Sequence, residues 1–488
     1  RSSDLIIITT KKGHAGRARL SYNGNMSVSS RTGSVDVMDA PTFRNYVIDS
    51  FGADSQQAAA LGNTETNWQD QIFRTTVSTD HNLSLSGSAG DYLPYRASLG
   101  YTNENGILKT SNLERFTGSI NLSPTFLDDD LRVQLNARGM YITNRFADQG
   151  AINSATQFDP TMPIYSETTS PYGNGYHMSL KPDGTPIDIA LANPLAILEQ
   201  KYDNSKVLRS IGNIQFDYRM PFLPELRANL NLGYDISKSE GDVIIEDNSP
   251  MSYTWGNYKL GWGDNRTYSQ YKSNTLLDLY LNYANEINAH RFDVMGGYSW
   301  QRFYNENEDT YPYSAAMQAE TGNEFYRDMY DYSTESFVVS FFGRLNYTLL
   351  NRYLLTLTVR NDGSSRFSPD NKWGLFPSVA FAWKINEEGF MQDQRLFSDL
   401  KLRLGYGVTG QQNLGSGDYP WMGRYSYSQA GANYFFGDNM YRLIRPVAYD
   451  ENLKWEETAT YNAGLDYGFL NNRISGAVDV YYRKTTDL

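Results

Sequence analysis

Residues able to do chemistry are few in this sequence, and they are scattered. There is no Cys among the 488 residues, which excludes disulfide frameworks, thiolate metal sites and cysteine nucleophiles. The four His (His14, His81, His177, His290) stand far apart, so a His-based metal or acid–base site is not expected. Carboxylates are plentiful, but glycoside hydrolysis needs two of them at a defined separation on a rigid scaffold. Asp128-Asp129-Asp130 reads as a solvated turn. Between 303 and 335, eight acids (Glu306, Glu308, Asp309, Glu320, Glu324, Asp328, Asp331, Glu335) accompany one base, Arg327, giving −7. Such oxygen ligands would suit Ca2+, although a solvated acidic outer loop is the plainer reading. No P-loop, GxGxxG or Gly-x-Ser-x-Gly motif stands in a strand–turn–helix context. Asn361 to Phe367 (Asn361-Asp362-Gly363-Ser364-Ser365-Arg366-Phe367) could form an anion nest or a sugar clamp. A structural turn explains it better, because Gly frees the backbone while Asp and Ser cap local amides. Loop aromatics are the stronger candidates for contact with a ligand or partner: Tyr253, Trp255, Tyr258 and Trp262 in one loop, and Trp421, Tyr425, Tyr427, Tyr434, Phe435 and Phe436 in another. Flat rings among Asn, Asp and Gln suit stacking on sugars or gripping an extended peptide. They suit a protein interface equally well, where Tyr and Trp are enriched.

The elements that must position these residues are strands. Leu20, Tyr22, Gly24, Met26 and Val28 alternate with polar residues, as do Leu131, Val133, Leu135 and Ala137, then Leu226, Ala228, Leu230, Leu232, Tyr234 and Ile236, then Phe292, Val294, Gly296, Tyr298 and Trp300. Similar runs lie near 77–87, 95–102, 115–122, 206–220, 273–284, 336–347, 353–360, 377–385, 400–408, 457–469 and 474–482. Period-2 alternation marks strands with two different faces, and these runs are about as long as the 9–11 residues a tilted strand needs to cross a bilayer. Short connections (Ser88–Pro94, Pro124–Asp130, Pro221–Glu225, Glu286–Ala289, Leu349–Arg352, Asn386–Asp399, Leu470–Arg473) alternate with long ones (30–76, 103–114, 144–205, 237–272, 302–335, 361–376, 409–456). That pattern fits a transmembrane β-barrel, with tight turns at one end and long loops at the other. The 69 aromatic residues, 38 of them Tyr, supply rings for interfacial girdles near strand ends. A soluble propeller or solenoid would also have many strands, but long loops all on one side are uncommon in compact soluble domains, and no repeat of 20–50 residues is present. Mean hydropathy is −0.55, and no run approaches the ~20 apolar residues of a membrane helix. A net charge of −12 disfavours a nucleic-acid partner.

Specific motifs resemble the SusC/RagA-like TonB-dependent outer-membrane transporters. Leu5 to Gly13 (Leu-Ile-Ile-Ile-Thr-Thr-Lys-Lys-Gly) is similar to the last strand of the family's plug domain, and Ser21-Tyr22-Asn23-Gly24 to its first barrel strand. Asn67-Trp68-Gln69-Asp70-Gln71-Ile72-Phe73-Arg74 resembles the segment before the second strand. The most specific matches are Arg360 to Phe367, Trp373-Gly374-Leu375-Phe376-Pro377-Ser378, Tyr406 to Asn413 and Asn452-Leu453-Lys454-Trp455-Glu456. The resemblance implies an all-β, antiparallel up-and-down transmembrane barrel of about 22 strands, of which about 15 are present here. Residues 1–16 would end a plug domain and residues 17–488 would form a partial barrel.

Both termini read as cut from a longer chain, so the sheet is expected to stay open, with edges at Arg19–Ser29 and Ile474–Tyr482. The family further implies multi-pass residence in the outer membrane of a Gram-negative bacterium and no covalent chemistry or cofactor. Its partners would be a SusD-like surface lipoprotein acting as a lid, the TonB–ExbB–ExbD complex reached through upstream sequence, outer-membrane lipid, and an oligosaccharide or peptide ligand. Asn136, Arg138, Asn229, Asn231, Asp278 and Asn282 would line the lumen. Two other classes stay open: an adhesive or structural barrel without active transport, and a secreted β-rich glycan-degrading enzyme.

Overall fold

The computed structural model describes residues 11, 13, 16–90, 92–166, 170–253, 260–312, 318, 320, 322, 330–391, 394, 396–413, 418–427 and 433–487. The segment at Leu5–Thr10, expected to be a plug strand, lies outside the described residues. The strands are β1 (Arg19–Ser29), β2 (Thr76–Ala89), β3 (Leu93–Asn105), β4 (Asn112–Leu122), β5 (Thr125–Phe126), β6 (Leu131–Arg145), β7 (Lys201–Arg219), β8 (Leu226–Ile245), β9 (Asp264–Ile287) and β10 (His290–Thr310). They continue with β11 (Tyr330–Leu349), β12 (Tyr353–Ser364), β13 (Trp373–Lys384), β14 (Phe397–Gln411), β15 (Tyr425–Tyr427), β16 (Asn433–Phe436), β17 (Asn439–Arg442), β18 (Ile444–Pro446), β19 (Glu456–Phe469) and β20 (Ile474–Thr486). One antiparallel sheet runs β1-β2-β3-β4-β6-β7-β8-β9-β10-β11-β12-β13-β14-β19-β20, with β5 paired to β6. Every neighbour on that path is the next long strand in the chain, the connectivity of an up-and-down meander. Strands β1 and β20 stand at opposite ends of the order, so the sheet is open, as the sequence leads one to expect.

The sheet is inside-out compared with a soluble protein. Residues on one face are apolar and exposed: Leu99 is 67% accessible, and Leu20, Met26, Phe116, Leu208, Leu279, Leu281, Phe341 and Val480 are exposed with it. The opposite face is polar and enclosed: Asn229 is 5% accessible, and Ser84, Asn121, Ser299, Ser336 and Ser340 are buried. Leu279 sits opposite Leu230 and Tyr298, whereas Asp278 sits opposite Asn231 and Ser299, so register keeps each set on its own face. Aromatic pairs mark the apolar face near both ends of the strands. Tyr101 with Phe116 and Tyr406 with Tyr461 lie toward the long loops, and Tyr283 with Phe292 and Tyr353 with Trp383 toward the turns.

Several strands run longer than their alternation announces. Strand β9 begins at Asp264 and not near 273; β10 continues to Thr310 and β11 starts at Tyr330. Both ends of the expected 302–335 loop, residues 302–310 and 330–335, therefore belong to a projecting ladder. Beyond the lipid neither face has to be apolar, so the pattern fades while pairing continues. Polar cross-strand pairs replace it: Arg266 binds Asp309 at 3.0 Å, Gln270 donates to Asn307 at 2.6 Å and Arg302 binds Glu335 at 2.5 Å.

Packing of the globular kind is found in the loops. The helices α1 (Ala40–Phe51), α2 (Gln56–Ala59), α3 (Trp68–Ile72), α4 (Gly150–Gln157) and α5 (Pro194–Glu199) are short. Trp68 and Ile72 pack with Leu108, Ala151, Ala155, Phe158, Ile197 and Leu198 into one buried core shared by three long loops. Asn193 caps α5 by accepting from the Leu195 and Ala196 amides, while its own amide donates to the Ile164 carbonyl at 2.9 Å. Pro194 follows at the first helical position, where its missing N–H costs nothing.

Candidate functional site

The polar face forms a wall with continuous side-chain hydrogen bonding. Asn121 donates to Asn136, Asn136 to Asn213 at 2.9 Å, and Asn213 to Asn231 at 2.9 Å, linking four successive strands. The band continues through Asp278, which accepts from Ser299 at 2.5 Å, and through Ser340, which accepts from Arg360 at 2.9 Å. On the other side Ser21 shares a hydrogen bond of 2.7 Å with Ser84, and Arg96 donates to Ser84 at 3.0 Å. A cavity of about 820 Å³ opens along this wall, lined among others by Arg96, Asn121, Arg138, Asn213, Asp235 and Asn274. Lys11, from the segment preceding β1, lines it too. Amides and guanidinium groups whose remaining donors and acceptors face a cavity can hold a polar chain or another part of the protein. Of the residues expected to line the lumen, Asn136, Arg138 and Asn231 border this cavity, while Asn229, Asp278 and Asn282 share the face by register. Asn121 and Asn213 were not singled out from the sequence, although the same alternation places them on this face.

The loop aromatics divide sharply. Tyr253 is 6% accessible, and its hydroxyl donates to Asn248 at 2.7 Å. Its ring meets Tyr172 edge-on at 5.3 Å, and burial, then the Tyr172 neighbour, push its phenol upward. Tyr253 therefore packs within its own loop, with little of its ring open to solvent. Trp255 and Tyr258 lie outside the described residues, and Trp262 is half-buried. Nearby, Tyr176 donates to Glu199, and burial, then that bond and charge, raise its phenol well above the ordinary value.

The other loop projects two small hairpins, β15 with β18 and β16 with β17. Tyr425 is 72% accessible, and Tyr427, Tyr434, Phe435, Phe436, Met440 and Ile444 are exposed with it, whereas Trp421 is half-buried. The Tyr434 and Phe436 rings are tilted by 52°, and Phe436 meets Tyr441 at 83°. Rings so inclined form an irregular apolar knob and not a flat platform.

Asn361–Phe367 is built into the wall top. Ser365 Oγ accepts from the Phe337 amide at 2.9 Å, and Arg366 pairs with Asp418 at 2.7 Å. Arg360 holds Asp362 at 2.7 Å. Phe367 is buried against Trp455, which also packs on Phe376. A Cβ at Gly363 would lie 2.9 Å from the Trp373 ring, and one at Gly374 or Gly410 would collide with Phe376. The four motifs that carry the most specific family resemblance thus converge on one cluster.

Among the described residues, the acids of 303–335 are spread along the β10–β11 ladder and its end. Asp309 and Glu335 belong to the cross-strand ion pairs above, Tyr304 donates to Glu306 at 3.2 Å, and Glu324 and Asp328 lie outside the described residues. Among the described residues no three His, Cys, Asp or Glu side chains come together as a metal-ligand set.

An open meander with an exposed apolar face, a polar inner wall and long loops at one end is the wall of a membrane barrel. The model of the family described as TonB dependent receptor-like, beta-barrel, matches residues 169–488. The TonB-dependent receptor SusC of Bacteroides thetaiotaomicron is 46% identical over 508 residues, covering 100% of this chain and 49% of that protein. TonB-dependent receptor P3 of Formosa agariphila is 29% identical, covering 100% and 47%. A solved structure of the RagAB peptide importer in its "closed-closed" state superposes with a TM-score of 0.76 at 21% identity, covering 98% of this chain and 56% of that one. The chain belongs to the TonB-dependent receptor family, among its SusC/RagA-like members. It spans about half the length of the curated relatives it matches.

Proposed function

We propose that this chain is the wall and outer loop region of a receptor that imports glycans or peptides across the outer membrane, driven through TonB. The observation that carries the reading is the inverted burial of the sheet: apolar residues exposed on one face, a hydrogen-bonded Asn, Ser and Arg wall bordering a cavity on the other. That wall suits passage of a polar solute beside a mobile plug, and the long loops suit its capture. The kinship with SusC, and the fold shared with a peptide importer, support the same reading. A SusD-like lipoprotein would close over the loops, where the exposed rings of Tyr425, Tyr427 and Tyr434 offer apolar contact area. ExbB and ExbD would energise TonB from the inner membrane.

The test is uptake. A strain lacking the full-length receptor should lose growth on a glycan or peptide mixture as sole carbon source. Restoration should require both the receptor and TonB. Uptake that persists without TonB would overturn active transport and favour a passive or adhesive barrel.

A further inference from the structure

Three tight turns at the end of the sheet away from the long loops share a feature that turn chemistry disfavours. Each begins with a leucine at positive φ: Leu127 at 56°, Leu350 at 52° and Leu470 at 52°. Each continues with Asp or Asn at positive φ, namely Asp128 and Asp129, Asn351, and Asn471 and Asn472. Asn and Asp tolerate the left-handed region, but a bulky aliphatic side chain does not. Strain of this kind, present three times at one end of the molecule, points to a use for the side chain. The leucines are 61%, 50% and 62% accessible. Ile287, before Asn288 at φ 55°, and Phe222 and Phe390 in neighbouring turns are exposed as well.

The tips form an arc, the turn ring, along this end of the open sheet. Adjacent turns are tied by backbone bonds: the Leu350 amide to the Ala289 carbonyl at 2.8 Å, Lys384 to Arg352 at 2.9 Å, Arg219 to Asp130 at 2.8 Å and Ala284 to Glu225 at 3.1 Å. The ring is continuous with the exposed apolar face, whose last members before the turns are the pairs Tyr283–Phe292, Tyr353–Trp383 and Phe397–Phe469. Arg352 and Arg473 close the turns that Leu350 and Leu470 open, which sets a cation beside those two tips, whereas Leu127 is followed by Asp128, Asp129 and Asp130. Arg473 is exposed, and Arg352 also lies 3.4 Å from Glu388. An apolar tip next to a guanidinium matches the boundary between acyl chains and phosphates.

Resting on the membrane-barrel reading, we infer that the turn ring is a phospholipid-binding surface. Leu127, Leu350 and Leu470 enter the headgroup–acyl boundary of the leaflet on the turn side, and Arg473, with Arg352, holds its phosphates. The ring fixes how deep the wall sits and keeps it level.

The experiment uses the full-length receptor in a Cys-free background, reconstituted in phosphatidylethanolamine–phosphatidylglycerol vesicles with or without brominated acyl chains. A fluorescent label is attached to Leu127→Cys, Leu350→Cys or Leu470→Cys, with Leu279→Cys and Asp183→Cys as references. Bromine should quench the three tips and position 279 strongly and leave position 183 bright. Tips as bright as position 183 and quenched by aqueous iodide, with position 279 still quenched by bromine, would overturn the lipid surface and leave the barrel standing. An unquenched position 279 would overturn the barrel itself. The three tips are independent, so a single variant that fails to fold does not remove the test.

Discussion

Leu279→Arg tests at one residue which face of the sheet meets lipid. Leu279 lies on the apolar face between Leu230 and Tyr298 and is 47% accessible. It stands four residues from the Tyr283 girdle, roughly 13 Å along the strand. After a tilt of about 40° that becomes roughly 10 Å of depth, near the middle of an apolar band about 25 Å tall. An arginine at the midplane of a barrel's lipid face costs about 2–4 kcal/mol, which is roughly a 30- to 1,000-fold loss in the folding equilibrium at ~1.4 kcal/mol per decade. Asn282→Arg is the matched change on the other face. Asn282 donates to Asp293 Oδ2 at 3.3 Å, while Asp293 Oδ1 is buried with no hydrogen-bond partner. A guanidinium at 282 would find that carboxylate, so its cost should stay below about 1 kcal/mol. Urea titration of the full-length receptor refolded into vesicles measures both. Equal costs for the two changes, or a larger one for Asn282→Arg, would refute the assignment of faces.

Other expectations can be checked more quickly. Phe367→Ala should cost about 3–5 kcal/mol, because it empties the cluster of Phe376 and Trp455, and thermal unfolding of the receptor should register it. Trp68→Ala removes the centre of the loop core and the bond from its indole to the Asp159 carbonyl at 2.9 Å. Limited proteolysis should then cut within 30–76 and 144–205 while the membrane-embedded strands stay protected. On intact cells, protease should reach the Tyr425–Val447 hairpins and spare Leu470–Arg473; labelling of a Cys at 471 from outside would reverse the orientation. Glu388 accepts from Tyr353 at 2.6 Å and from the Trp383 indole at 2.9 Å, which with nearby Arg352 lowers its carboxyl below the ordinary range. A lowered folded value means stability that is present above the unfolded value, about 4.3, and lost as pH falls through the folded one. Glu388→Gln should flatten that acid limb of unfolding, and an unchanged limb would show that the clamp does not contribute.

What the sequence disclosed follows from where a physical constraint acts on every second residue. Inside lipid, one face must be apolar and the other may be polar, so β8 and β9 announced themselves and Leu279 and Asn282 could be assigned to faces from the alternation alone. The chain loses that constraint once it leaves the bilayer. The outer halves of β9, β10 and β11 are held by Arg266–Asp309, Gln270–Asn307 and Arg302–Glu335, pairs whose members look like loop residues until the register is known. The loop core was illegible for a different reason: Trp68 and Asp159 are 91 residues apart, and no local period connects them. The same holds for Tyr253, which reads as a presented ring and is enclosed by Tyr172 and Asn248. The motifs most specific to the family, around Asp362, Gly374, Gly410 and Trp455, share one cluster where three glycines make room for Trp373 and Phe376. Their spacing is set by packing at the top of the wall. On the function proposed above, binding would fall to the surfaces that such packing leaves free, the hairpin rings above and the polar wall below, where residue type constrains little beyond exposure.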